Sequence, residues 1–320
     1  MCIARVFTVL MFAVSATGMA AEKYPSRPVR VIVPVTAGST TDVLARLLSQ
    51  KLSEFWGQPV VVDNRTGAGG TIGTGLVAKA PQDGYTLLIS TSAFAQIPSL
   101  YANLPYDMRK SFIAVSALVS SPYVLVVGPT AGVRSIPELI AAAKAKPGQL
   151  TFGSAGVGSG THFAAEKFKY AAGINVVHVP YKGGAEATID TMAGRTTYWF
   201  PPTGMALPFV RDTKLLALGV TSARRTSLLP NVPTFAESGL VGYEDAIWFG
   251  IWARAGTPAA VVGKIGEDLA RALTAADVRE KLLSLGMEPM RLNAAEFASF
   301  VRVEMDSAER LTKALGIKLE

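Results

Sequence analysis

The sequence predicts an α/β protein built as two similar lobes with a ligand cleft between them. Three observations carry that prediction. Short β-branched runs alternate with amphipathic helical stretches from Val29 onward, the pattern of βαβ units and a largely parallel sheet. The alternation restarts at Tyr123 with the run YVLVV. Later, a strand-like run at Ile247–Ala253 leads into three helical stretches that complete the first lobe. With 320 residues, 49% hydrophobic and 17% charged, the chain is long enough for about two domains and too apolar to be disordered.

Val29-Arg-Val-Ile-Val33 is the first strand. It runs into Pro34–Thr41 and a helix from Asp42 to Trp56, whose Leu44, Leu48 and Leu52 share a face. Val60–Val62 is a second strand, ended by a loop over Asn64–Gly75, and Tyr85–Ser90 is a third. In the second series Tyr123–Val127 is a strand and Ser135–Ala145 a helix, stopped by Pro147-Gly148. Leu150–Gly153 enters a Gly/Ser loop and then the helix Phe163–Ala172, closed by Gly173. Val176–Val179 and Leu215–Val220 are strands on either side of the helix Ala185–Met192. A Pro/Ser-rich connector spans Thr221–Gly242, and Ala259–Thr274, Ala276–Leu285 and Ala294–Ala314 are helical. The expected division is 22–123 and 250–320 for one lobe and 124–249 for the other. α/β proteins hold ligands at the C-terminal ends of their strands.

Residues 1–21 read as a secretory signal peptide, with Arg5 as the positive n-region, Val6–Val14 as the apolar core and Gly18-Met19-Ala20 as the cleavage site. That core has about half the ~20 apolar residues of a membrane-spanning helix. Cleavage after Ala20 removes Cys2, the only cysteine, and Arg5, leaving 30 basic against 24 acidic residues. One cysteine and two histidines exclude a disulfide framework and a cysteine or multi-histidine metal centre. No cofactor is expected. The basic residues are scattered, so the positive balance permits an anionic ligand without pointing to nucleic acid.

Three loops between a strand and a helix share one design. They are Pro34–Asp42, Phe152–His162 and Tyr181–Gly184. Thr40 or Thr41 can cap the first helix, and Gly38 lets the backbone approach a ligand. Free N–H groups at a helix N-terminus suit an anion. Ser154, Ser159 and Thr161 add hydroxyls to the second loop. No P-loop or G-x-S-x-G elbow is present, and Gly73-Thr-Gly75-Leu-Val-Ala78 lacks the strand and the acidic partner of a dinucleotide site. A hydrolase using Ser154 or Ser159 with His162 lacks an orienting acid. His162, in the first turn of its helix, is expected to face the cleft, and His178, inside a strand, to be structural.

These segments resemble the Bug family, the TctC-like periplasmic substrate-binding proteins of tripartite tricarboxylate transporters. The resemblance runs through Tyr24-Pro-Ser-Arg-Pro28, Val31-Ile-Val-Pro34, Ala37-Gly38, Thr41-Asp42 and Gly57-Gln-Pro-Val-Val-Val62. It continues with Asn64-Arg65, Gly67-Ala-Gly-Gly70, Asp83-Gly-Tyr-Thr-Leu87, Leu104-Pro-Tyr-Asp107 and Gly153-Ser-Ala-Gly156. Val177-His-Val-Pro-Tyr-Lys-Gly183, Val232-Pro-Thr234, Trp248-Phe-Gly250 and Ala255-Gly-Thr-Pro258 extend it over essentially the whole mature chain.

The resemblance implies a type II periplasmic-binding fold that closes on its ligand like a Venus flytrap, with no catalysis. It further implies an exported periplasmic monomer, a small-molecule carboxylate as ligand, and membrane components of a tripartite tricarboxylate transporter as partners. One carboxylate would be gripped by the two loops matching Pro34–Asp42 and Gly153–His162. The expected contacts are Thr36, Gly38, Ser39, Thr40 and Thr41 in the first lobe and Ser154, Gly156, Gly158, Ser159, Thr161 and His162 in the second. Ser92, Ala93, Tyr181, Lys182 and Pro201 would form walls. Thr36 replaces the family's usual proline, and Pro201 stands where an acidic residue is expected, beside Tyr198, Trp199 and Phe200. Those departures suggest an aromatic dicarboxylate such as terephthalate. An aliphatic di- or tricarboxylate is the alternative ligand, and a sensing input for a membrane kinase the alternative role.

Overall fold

The computed structural model describes residues 24–101 and 103–316. The expected signal peptide lies outside them. The first lobe contains β1 (Val29–Val33), α1 (Thr40–Trp56), β2 (Val60–Asn64), α2 (Thr71–Ala78), β3 (Thr86–Thr91), α3 (Ala93–Leu100) and β4 (Phe112–Pro122). The second contains β5 (Val124–Val127), α4 (Ile136–Ala145), β6 (Thr151–Ser154), α5 (Gly160–Ala172), β7 (Val177–Pro180), α6 (Gly184–Met192), β8 (Tyr198–Trp199), α7 (Thr203–Arg211) and β9 (Leu216–Val220). The chain then returns through β10 (Ala246–Arg254), α8 (Ala259–Thr274), α9 (Ala276–Ser284), β11 (Glu288–Pro289) and α10 (Ala294–Leu315).

The strands form two sheets, ordered β11-β4-β10-β3-β1-β2 and β7-β6-β8-β5-β9. Both are mixed, which corrects the expectation of largely parallel sheets. β1 is parallel to β2 and β3, but β10 is antiparallel to β3 and β4. β6 is parallel to β7 and β8, but β5 is antiparallel to β8 and β9. A strand that enters a sheet from the other lobe is under no βαβ constraint, so its direction follows the crossing.

Each sheet is covered on both faces. Val29, Val31 and Val33 pack with α1, α8 and α9, while Ile32 points to the opposite layer with α2, α3 and α10, as the period of a strand requires. In the second sheet, Leu125 and Val127 pack with α4 and α5, and Val124 and Val126 with α6 and α7. Tyr198 and Phe200 enter one of these layers and Trp199 the other. All three rings are fully buried, so none lends aromatic surface to the cleft.

Topology places the loops. In the first sheet β1, β3 and β4 run in one direction, so the segments after them share an edge. In the second, the segments after β6, β7 and β8 share an edge with the start of β5 and the end of β9. The chain passes between these edges at Tyr123 and again between Val220 and Ala246. The loop-bearing edges of the two sheets therefore meet at the crossings.

Candidate functional site

α1 begins at Thr40 because Ser39, rather than Thr40 or Thr41, is its N-cap, its Oγ accepting from Asp42 N at 3.3 Å. A serine cap contributes about 1 kcal/mol. The N–H groups of Thr40 and Thr41 are left without partners inside the helix. The loop before them is shaped by Asp42, whose Oδ2 accepts from Gly38 N and Arg46 Nε, both at 2.9 Å, and whose Oδ1 accepts from Asn64 Nδ2 at 3.0 Å. Asn64 also reaches Val35 O at 3.1 Å, and it is in register with Val33 at the end of β1. The Arg46 guanidinium, helped by the donors from Gly38 and Asn64, holds the Asp42 carboxyl below its ordinary range against the opposing effect of burial. Gly38 takes φ +79°, a left-handed conformation that a side chain would strain. Thr36 is exposed at the tip, its carbonyl accepting from Ser39 N.

The second loop repeats the design. Ser159 caps α5 by accepting from His162 N at 3.2 Å, leaving the N–H groups of Gly160 and Thr161 without helical partners. Gly156 and Gly158 have φ of +118° and +79°. The hydroxyls of this loop are largely spent within it. Ser159 Oγ donates to Gly156 O, Thr161 Oγ1 accepts from Ala155 N, and fully buried Ser154 exchanges hydrogen bonds with Gly156.

The two histidines lie beneath that loop. Ser154 Oγ and His178 Nε2 share a 2.6 Å hydrogen bond, and His162 Nδ1 accepts from Gly158 N at 3.2 Å. The rings stack 4.1 Å apart. His162 is 3% exposed, so it supports the loop from inside and does not face the cleft as expected. Burial lowers His162 to about 3 and His178 to about 4, and the neighbouring His178 adds to the effect on His162. Both rings are neutral near pH 7. Among the described residues, the Ser154–His178 pair has no orienting carboxylate in its hydrogen bonds, and no cluster of three His, Cys, Asp or Glu could hold a metal.

The expected walls divide. Ser92 is buried at the start of α3, and Ala93 N donates to Thr91 Oγ1. Tyr181 turns aside, its hydroxyl donating to Asp190 at 2.6 Å, while Lys182 is exposed and donates its backbone N–H to Glu186. Pro201 is buried, its carbonyl accepting from Val124 N. The next residue, Pro202, instead joins Thr40, Ser121, Gly204 and Met205 around a cavity of about 170 Å³ between the lobes. At the crossing, Gly160 lies so close to Tyr123 that a Cβ there would stand 2.2 Å from the phenol oxygen and 3.2 Å from Ser92 Oγ. Thus α1 and α5 each bring an open N-terminus to the junction. Asp42, Ser121 and Tyr123 were missed as contributors, whereas His178 is the structural hydrogen-bonding residue expected. The Asp42–Arg46 spacing of four was a readable signal, whereas Ser121 and Tyr123 sit unmarked in apolar strand sequence.

The chain is similar to known proteins in sequence and in fold. The family model for the tripartite tricarboxylate transporter family receptor matches residues 44–317. Protein BugT of Bordetella pertussis is 34% identical over 322 residues, covering 99% of both chains. Among solved structures, Rpa4515 of R. palustris with adipate is 35% identical with a TM-score of 0.84, covering 92% of this chain and 100% of that one. MatC of Rhodopseudomonas palustris with bound malate is 30% identical with a TM-score of 0.78, covering 90% and 99%. The chain belongs to the tripartite tricarboxylate transporter receptor family, of Bug/TctC type, whose members are periplasmic carboxylate-binding receptors and not enzymes.

Proposed function

We propose that this protein captures a short aliphatic dicarboxylate in the periplasm and delivers it to the membrane components of a tripartite transporter. One observation carries the reading. Each lobe ends a parallel strand in a glycine-bent loop and a serine-capped helix, whose first two N–H groups make no hydrogen bond among the described residues. Such N–H groups, with the positive end of each helix dipole, suit a carboxylate without a cationic side chain. An anion engaging both lobes favours the closed arrangement over the open one. Residues 36–41 and 154–161 form the grip, with the Ser154, Thr161 and His162 side chains holding its shape.

Two findings favour an aliphatic ligand over the aromatic one suggested by Thr36 and by Pro201 beside Tyr198–Phe200. Those rings are buried on both faces of the second sheet, and the similar structures cited carry adipate and malate. Thermal unfolding of the purified mature protein with succinate, malate, adipate, terephthalate and aspartate tests the assignment. A saturating aliphatic diacid should raise the melting temperature by about 5–10 °C. A rise with terephthalate alone would restore the aromatic ligand, and no rise with any diacid would remove the proposal.

A further inference from the structure

Three hydroxyls at the junction are buried without a well-formed hydrogen bond among the described residues, Tyr123 OH and Ser92 Oγ lying beside each other. They are Ser92 Oγ, Ser121 Oγ and Tyr123 OH, and the residues are 5%, 1% and 1% exposed. A buried hydroxyl without a partner has lost its hydration and gained nothing in exchange. Their placement is specific. Tyr123 OH and Ser92 Oγ stand over Gly160 at the N-terminus of α5, and Ser121 shares the inter-lobe cavity with Thr40 at the N-terminus of α1.

The supply of donors exceeds what one carboxylate can accept. If both helices grip the same carboxylate, the N–H groups of Thr40, Thr41, Gly160 and Thr161 already match its roughly four acceptor sites. The three hydroxyls are then available for another oxygen-bearing group. We infer that Tyr123, together with Ser92 and Ser121, holds a second carboxylate or hydroxyl of the ligand and makes the cleft select diacids over monoacids of the same skeleton. The inference rests on the carboxylate grip proposed above. Burial pushes the pKa of the Tyr123 phenol well above the ordinary tyrosine value, the neighbouring Ser92 hydroxyl opposing the shift, so the phenol stays protonated and is suited to donate.

Calorimetric titration with succinate against propionate and adipate against valerate, each pair differing by one carboxylate, tests the assignment. The wild type should prefer the diacid. Tyr123→Phe should weaken the better diacid about tenfold, as for a lost hydrogen bond to a charged group, and change the matching monoacid less than twofold. Ser92→Ala and Ser121→Ala should act in the same direction, and they carry the comparison if Tyr123→Phe does not fold. Equal losses for diacid and monoacid, or undiminished diacid affinity in all three variants, would overturn the inference. Wild-type protein that binds diacid and monoacid equally would overturn it while sparing the carboxylate grip. Protein that binds none of the four acids would overturn both.

Discussion

Asp42 and the His162–His178 pair determine the shape of the two loops from positions the ligand need not touch. Asp42 draws Gly38 N, Arg46 and Asn64 onto one buried carboxylate, so the Arg46 guanidinium is paired within the protein. The histidines impose a pH dependence whose sign follows from their lowered values, about 3 and about 4 against an ordinary 6.5. Between pH 4 and 6.5 the unfolded chain binds protons that the folded chain refuses, so stability is complete above 6.5 and falls on acidification. The melting temperature should therefore rise from pH 4 to pH 6.5 and level off, with a shallower rise in His178→Gln. A flat profile over that window would mean that the rings are solvated. At this scale the sequence was only half legible. Gly, Ser and Thr marked the loops, but hydroxyls near a turn bond locally, and Ser154 and Thr161 serve the loop itself.

The elements explain which parts of the site can be altered separately. α5 joins the lobes, with Phe163 packed against Leu100 of α3 and Ala308 of α10. Its first residue must be small: the Cβ of an alanine at position 160 would meet Tyr123 OH at 2.2 Å but the ring carbon behind it only at 3.5 Å. Gly160→Ala should destabilise the protein by about 1–3 kcal/mol, as overpacking does. Adding Tyr123→Phe should recover most of that loss in urea unfolding. Additive losses in the double variant would show that the phenol oxygen is not the obstacle. Strands and helices with a plain period were legible, including α1, α4, α8 and α10. α2 was not, because Gly73 and Gly75 argue against a helix. Burial explains it: Gly73 lies against the backbone of Arg65, where a Cβ would be 2.6 Å from the carbonyl oxygen, so close packing overrides weak propensity. β4 was missed because both of its faces are covered and it lacks polar alternation.

The whole molecule places the site by strand direction. Two mixed sheets turn their loop-bearing edges to the same crossings, which is why segments 120 residues apart in sequence, after β1 and after β6, serve one junction. The two-lobed α/β architecture was legible from the restart of the strand–helix pattern. The direction of β5 and β10 was not, since it depends on how the chain passes between lobes. The most direct measurement of the central claim is a crystal structure of the protein with its tightest-binding diacid. One carboxylate should lie within about 3.2 Å of an N–H group from the first turn of both α1 and α5. A carboxylate held by Arg or Lys side chains, or by one lobe alone, would contradict it.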